Sequence, residues 1–91
     1  MSKKLDFNRW IEYTRELEAV EKGVLMELIQ YCLLSDQNAI APCILFRSYR
    51  GAEREYEADA YLKCIDMYFD WEEGGVLVLK DEYKDLLVRS N

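Results

Sequence analysis

Apolar residues recur along most of this chain at the 3.6-residue period of a helix, and the period shortens to two only near its C-terminal third. Phe7, Trp10, Ile11 and Thr14 share one face of a first predicted helix over about 7–18, which Asp6 is placed to cap. Glu18 and Glu21 open a second helix that runs to about Leu34. Its stripe is Val20, Val24, Leu25, Leu28, Ile29, Cys32 and Leu33. Gly23 interrupts that stripe. A mid-helix glycine costs about 1 kcal/mol relative to alanine, so a close approach or a short bend is expected there. Ser35-Asp36-Gln37-Asn38 is turn chemistry, and Ala39-Ile40 reads as a short extended stretch. Pro42 suits the first turn of a third helix, about 41–49, closed near Gly51. A fourth runs from Glu53 to about Phe69 and turns Ala58, Tyr61, Leu62, Ile65 and Phe69 inward. Tyr68-Phe69-Asp70-Trp71 and Val76-Leu77-Val78-Leu79 then flank Glu72-Glu73-Gly74-Gly75, the signature of a β-hairpin whose glycines supply positive φ. Asp81 caps a last short helix with Tyr83, Leu86 and Leu87 inward, and residues 1–5 read as a short, flexible basic tail. The expected class is α+β, mainly helical, in a single domain.

Composition bounds what such a domain can do. The chain has 91 residues, 51% of them apolar, with two Trp, seven Tyr and three Phe. That is enough for a core, so the chain need not be an acidic disordered tail. A domain this small buries only about 60–65% of its unfolded surface, and a homodimer is one common remedy. Cys32, Cys43 and Cys64 form no C-x-x-C pair and read as reduced thiols, with Cys32 and Cys64 on apolar faces. Asp6, Asn8 and Arg9 leave no secretory apolar region, and the longest uncharged apolar run, Ala39 to Phe46, is too short for a bilayer. A cytoplasmic protein without a membrane partner is expected. Histidine is absent, which removes Ser-His and Cys-His nucleophile pairs and the ordinary Cys/His zinc sites. No enzyme activity, cofactor or metal is expected, and adjacent acids such as Glu72-Glu73 at a turn tip lack the pocket that acid–base chemistry needs.

Charge changes the picture most. Residues 53–73 hold Glu53, Glu55, Glu57, Asp59, Asp66, Asp70, Glu72 and Glu73 against Arg54 and Lys63, a net −6 that equals the charge of the whole chain. The other 70 residues are neutral. Such a sector repels nucleic acid and attracts basic protein surfaces, unless it is simply a solvated face. Spacing aligns 55, 59, 66 and 70, with 53 and 57 beside them. Arg47, Arg50 and Arg54 form a small cationic cluster that either pairs locally with Glu53, Glu55 and Glu57 or binds phosphate. Tyr49, Tyr56, Tyr61 and Tyr68 are read mainly as core or half-buried residues, with Tyr49 and Tyr56 as surface anchors in the functional alternative.

Leu17-x-x-x-Glu21-x-Gly23-x-x-x-x-Leu28-Ile29-x-Tyr31, preceded by Trp10 and Thr14, resembles the N-terminal winged-helix domain of phage and prophage replication-initiator-like proteins. The resemblance implies a winged-helix-like fold of four helices, a hairpin wing and a short C-terminal helix over roughly residues 7–87. It also implies a phage or mobile-element origin. In a winged helix the last helix before the wing presents cations and amides to the major groove. Here that helix, 53–67, carries five acids and two bases, and the wing turn adds Glu72 and Glu73. Phosphate contacts need cations, so those elements do not suit a groove. The expected function is therefore inhibitory binding. Glu53, Glu55, Glu57, Asp59, Asp66, Asp70, Glu72, Glu73 and Tyr56 would dock on the basic surface of a nucleic-acid-binding protein and occlude it as a DNA mimic. The alternative is a nucleic-acid-binding or replication-accessory module using Arg47, Arg50 and Arg54, or the N-terminal Lys3, Lys4 and Arg9.

Overall fold

A computed structural model of the protein describes residues 3–35, 38–44 and 55–89, without the side chains of Glu55 and Tyr56. Helix α1, Phe7–Tyr13, starts where expected: Asp6 Oδ1 accepts the N–H groups of Asn8 (3.0 Å) and Arg9 (3.2 Å). It ends earlier than the pattern suggests. The Thr14 hydroxyl donates to Trp10 O at 2.7 Å, and a side chain bonding back to the helix in this way competes with its continuation. The inward line of α1 passes through Trp10, Tyr13 and Thr14, so Phe7 and Ile11 stand exposed rather than buried.

Helix α2, Ala19–Leu34, is the spine of the core. Val24, Leu25, Leu28, Ile29 and Cys32 are buried, with Val20 and Leu33 packed at the margin, as the 3.6-residue stripe requires. At its start the Glu21 carboxylate accepts the Glu18 N–H at 2.9 Å, one of the donors a helix end leaves unpaired. Gly23 neither bends α2 nor admits a close neighbour: it is exposed, with no atom within 4 Å of where a Cβ would stand. Helix α3, Glu55–Tyr68, packs against α2 through Ala60, Tyr61, Cys64, Ile65 and Tyr68. Leu62 does not belong to that face and is 55% exposed, because the inward line is centred on Tyr61, Cys64 and Tyr68. Of the third predicted helix, residues 42–44 are helical; 45–49 and Gly51 lie outside the described residues.

The chain passes without a loop from α3 into β3, Phe69–Glu72, and returns as β4, Val76–Leu79. Gly74 (φ 81°) and Gly75 (φ 79°) make the turn, in the left-handed region where a Cβ is penalised. A short strand β2, Ala39–Ile40, pairs with the other side of β4, giving the antiparallel order β2-β4-β3. Phe69 lies opposite Leu79, and Trp71 opposite Leu77, which also pairs with Ile40. Phe69, Leu77, Leu79 and Ile40 close the core beneath α2 and α3.

The chain ends form a second sheet. Lys3–Leu5, read from the sequence as part of a flexible tail, is strand β1 and pairs antiparallel with β5, Leu87–Arg89. The Lys3 ammonium donates to Ser35 O (2.6 Å) and Asn38 Oδ1 (2.7 Å). The last predicted helix is a 3-10 helix, Asp81–Leu86. Asp81 is its first residue rather than its cap and pairs with Lys84 at 2.7 Å, while Leu87 is buried from β5. The described residues form a small α+β domain, mainly helical, with two small antiparallel sheets.

Candidate partner-binding surface

On α3 the helical period that buries Tyr61, Cys64 and Tyr68 leaves Asp59, Leu62, Lys63 and Asp66 toward solvent. Lys63 is not available to its acidic neighbours. Its ammonium reaches across to the Glu21 carboxylate at 2.9 Å, and Glu21 is itself buried at the start of α2. The Glu18 N–H and then the Lys63 ammonium hold the Glu21 carboxyl below the usual carboxylate range. Asp59 and Asp66 have no ion-pair partner among the described residues. Glu57 is half-buried. Glu55 is the first described residue of α3, but its side chain and that of Tyr56 are not described; Glu53, Arg54, Arg47, Arg50 and Tyr49 lie outside the described residues.

Beyond Tyr68 the period changes from 3.6 to two, and this divides the acidic sector. The expected alignment of Asp70 with positions 55, 59 and 66 does not occur, because α3 has ended and Asp70 stands on β3. Residues directly opposite on paired strands share a face. Asp70 therefore faces outward with Val78 and Ala39, and Glu72 with Val76, opposite the core row of Phe69, Leu77, Leu79 and Ile40. Glu73 is exposed in the turn, and neither it nor Asp70 or Glu72 has an ion-pair partner among the described residues. Trp71 belongs to the inner row opposite Leu77, yet at the sheet edge it remains 61% exposed. The surface thus consists of two carboxylate groups, one on α3 beside the exposed Leu62 and one on the hairpin, where the exposed Trp71 stands on the opposite face from Asp70 and Glu72.

Among the described cations outside α3, Lys3, Arg9, Lys80 and Lys84 are engaged. Arg9 pairs with Asp85 (3.3 Å) and Glu12 (3.4 Å), and Lys3 is held by Ser35 and Asn38. The Lys80 ammonium donates to Asp66 O at 3.0 Å. Tyr68 donates its hydroxyl to Tyr13 O at 2.6 Å and Tyr61 donates to Glu27, so both buried tyrosines keep a polar partner. Tyr13, Tyr68 and Tyr83 form an aromatic group at the wall of a cavity of about 360 Å³, with Met67, Leu17 and Glu16. No periodicity relates Tyr13 to Tyr83, and the sequence reading missed this cluster. Burial pushes the Cys32 thiol up to about 12 and that of Cys64 up to about 11, which keeps both protonated and unreactive; Cys43 is exposed. Among the described residues no group of three or more Cys, Asp or Glu side chains is arranged to hold a metal ion, and no helix is long and apolar enough to cross a membrane.

Fold and surface together define a small acidic α+β domain with its negative charge on one helix and the following hairpin. The chain has no significant match among protein-family models, curated proteins or solved structures.

Proposed function

We propose that this chain is a non-enzymatic interaction protein that occludes the basic surface of a nucleic-acid-binding protein. The observation that carries this reading is the set of exposed carboxylates Asp59, Asp66, Asp70, Glu72 and Glu73, unpaired among the described residues, while the one described cation of α3, Lys63, is drawn away to Glu21. Folding thereby leaves the sector more negative at its surface than the sequence alone requires. Carboxylates on α3 and the hairpin take the place of phosphates for arginine and lysine of the partner, and Leu62 supplies apolar contact beside those of α3. The order of helices followed by a hairpin is also what supports a winged-helix-like architecture and, with it, a phage or mobile-element origin. In that architecture α3 and the hairpin are the elements otherwise offered to DNA.

The test is capture of basic proteins from a host lysate by the wild type and by a Glu55→Lys, Asp59→Lys, Asp66→Lys variant. The wild type should retain a nucleic-acid-binding protein that added duplex DNA displaces. The variant should lose at least about tenfold in affinity while keeping its circular dichroism. Capture that is indifferent to charge reversal sinks the proposal. The competing reading, direct nucleic-acid binding, has fewer free cations to draw on, since Lys3 and Arg9 are engaged internally. Retardation of DNA or RNA in a low-salt gel shift would favour it.

A further inference from the structure

The outer face of the β2-β4-β3 sheet is neither a plain acidic surface nor a plain apolar one. Across it, Asp70 is in register with Val78 and Ala39, and Glu72 with Val76. Its β3 margin is therefore acidic, and its middle and β2 margin are apolar. On the β2 side the surface continues into a groove of about 260 Å³ lined by Tyr31, Leu34, Ala39, Ala41, Ile44 and Val76. Leu34, at the end of α2, is 86% exposed, and Ile44 is 39% exposed. Exposed aliphatic side chains bordering a groove mark an interaction site more than isolated ones do. Ala39 and Ala41 line the groove with small side chains. Ser35 stands at the rim, with its carbonyl already holding the Lys3 ammonium.

We propose that this groove and the adjoining Asp70 and Glu72 receive a basic amphipathic helix of the partner. An amphipathic helix in a groove places apolar side chains at i, i+3, i+4 and i+7 into the depression. Its lysines and arginines, on the flanking positions, then lie over the β3 carboxylates. Charge selects this occupant: a neutral or acidic helix would bring no countercharge to Asp70 and Glu72, which have no ion-pair partner among the described residues. The inference rests on the proposed basic partner and names the element by which that partner is held. It also extends the contact from the solvent face of α3 onto the outer face of the sheet.

The test uses a labelled Leu/Lys/Arg peptide with helical amphipathic spacing, and a scrambled peptide of the same composition, titrated by fluorescence anisotropy. The amphipathic peptide should bind about tenfold or more tightly than the scramble. Leu34→Lys with Ile44→Lys, both on exposed side chains, should abolish that preference without changing the thermal melt. Asp70→Asn with Glu72→Gln should weaken both peptides and flatten the salt dependence. Equal binding of the two peptides, lost on charge reversal at Asp59 and Asp66, overturns the groove while leaving the acidic-surface reading intact. Binding of neither peptide overturns both. A concentration-dependent dimer in sedimentation that dissociates on Leu34→Lys with Ile44→Lys also overturns the inference, because the groove would then be filled by a second copy.

Discussion

Gly23 lies in a helix that gains nothing from it. With φ in the helical region and open space where a Cβ would stand, it carries glycine's backbone entropy cost without any close approach in return. Gly23→Ala should raise stability by about 1 kcal/mol, read in thermal denaturation as a rise of roughly 4–8 °C. Gly74 is the opposite case. At φ 81° a substitution to alanine is strained whatever the space, and it should cost about 1 kcal/mol or more in the same measurement. The sequence pattern placed Gly74 in a turn that needs positive φ, but the spacing around Gly23 could not tell a close approach or a bend from open space. Leu62 shows the same limit: its apolar side chain fits a helical stripe on paper, and only the position of α2 decides that the stripe passes through Tyr61 and Cys64 instead.

Between elements, Glu21 is one of the polar links. It joins the first turn of α2, through the Glu18 N–H, to α3, through Lys63, and the Cys64 thiol adds a contact by donating to Glu21 O at 3.4 Å. Because the folded carboxyl is held below its ordinary value, the group stabilises the fold above about pH 4.5, and that contribution is lost as pH falls through the lowered value. Glu21→Gln should therefore lower the melting temperature at neutral pH, and its gap to the wild type should close in acid. A gap that persists unchanged in acid would mean the charge contributes nothing. Elements with strong local signals were legible in the sequence: the α2 stripe, the Asp6 cap and the two-glycine hairpin. Elements defined by distant partners were not. Strands β1 and β5 are three residues each, too short for any period, and exist because they find one another across the length of the chain. The hydroxyl of Thr14 shortened α1 by a local bond that apolar spacing does not register.

At the scale of the whole molecule, the sequence located the charge but not its shape. Counting acids placed the −6 in residues 53–73, whereas the division into a helical group and a sheet group depends on where α3 stops. The capture of Lys63 by Glu21 depends on helix packing, and no spacing rule within α3 contains it. The groove beside β2 was invisible for the same reason, since its walls come from α2, β2, β4 and residue 44. The pairing of β1 with β5 has a mechanical consequence. Lys3 lies opposite Arg89, so tension applied between those two residues acts along the interstrand hydrogen bonds and parts them one after another, as a zipper opens. Handles at positions 3 and 89 should peel the small sheet apart at low force before the core yields. Moving one handle to Gln30, on the exposed side of α2, should abolish that first soft event, so this domain is weakest when it is stretched from its ends.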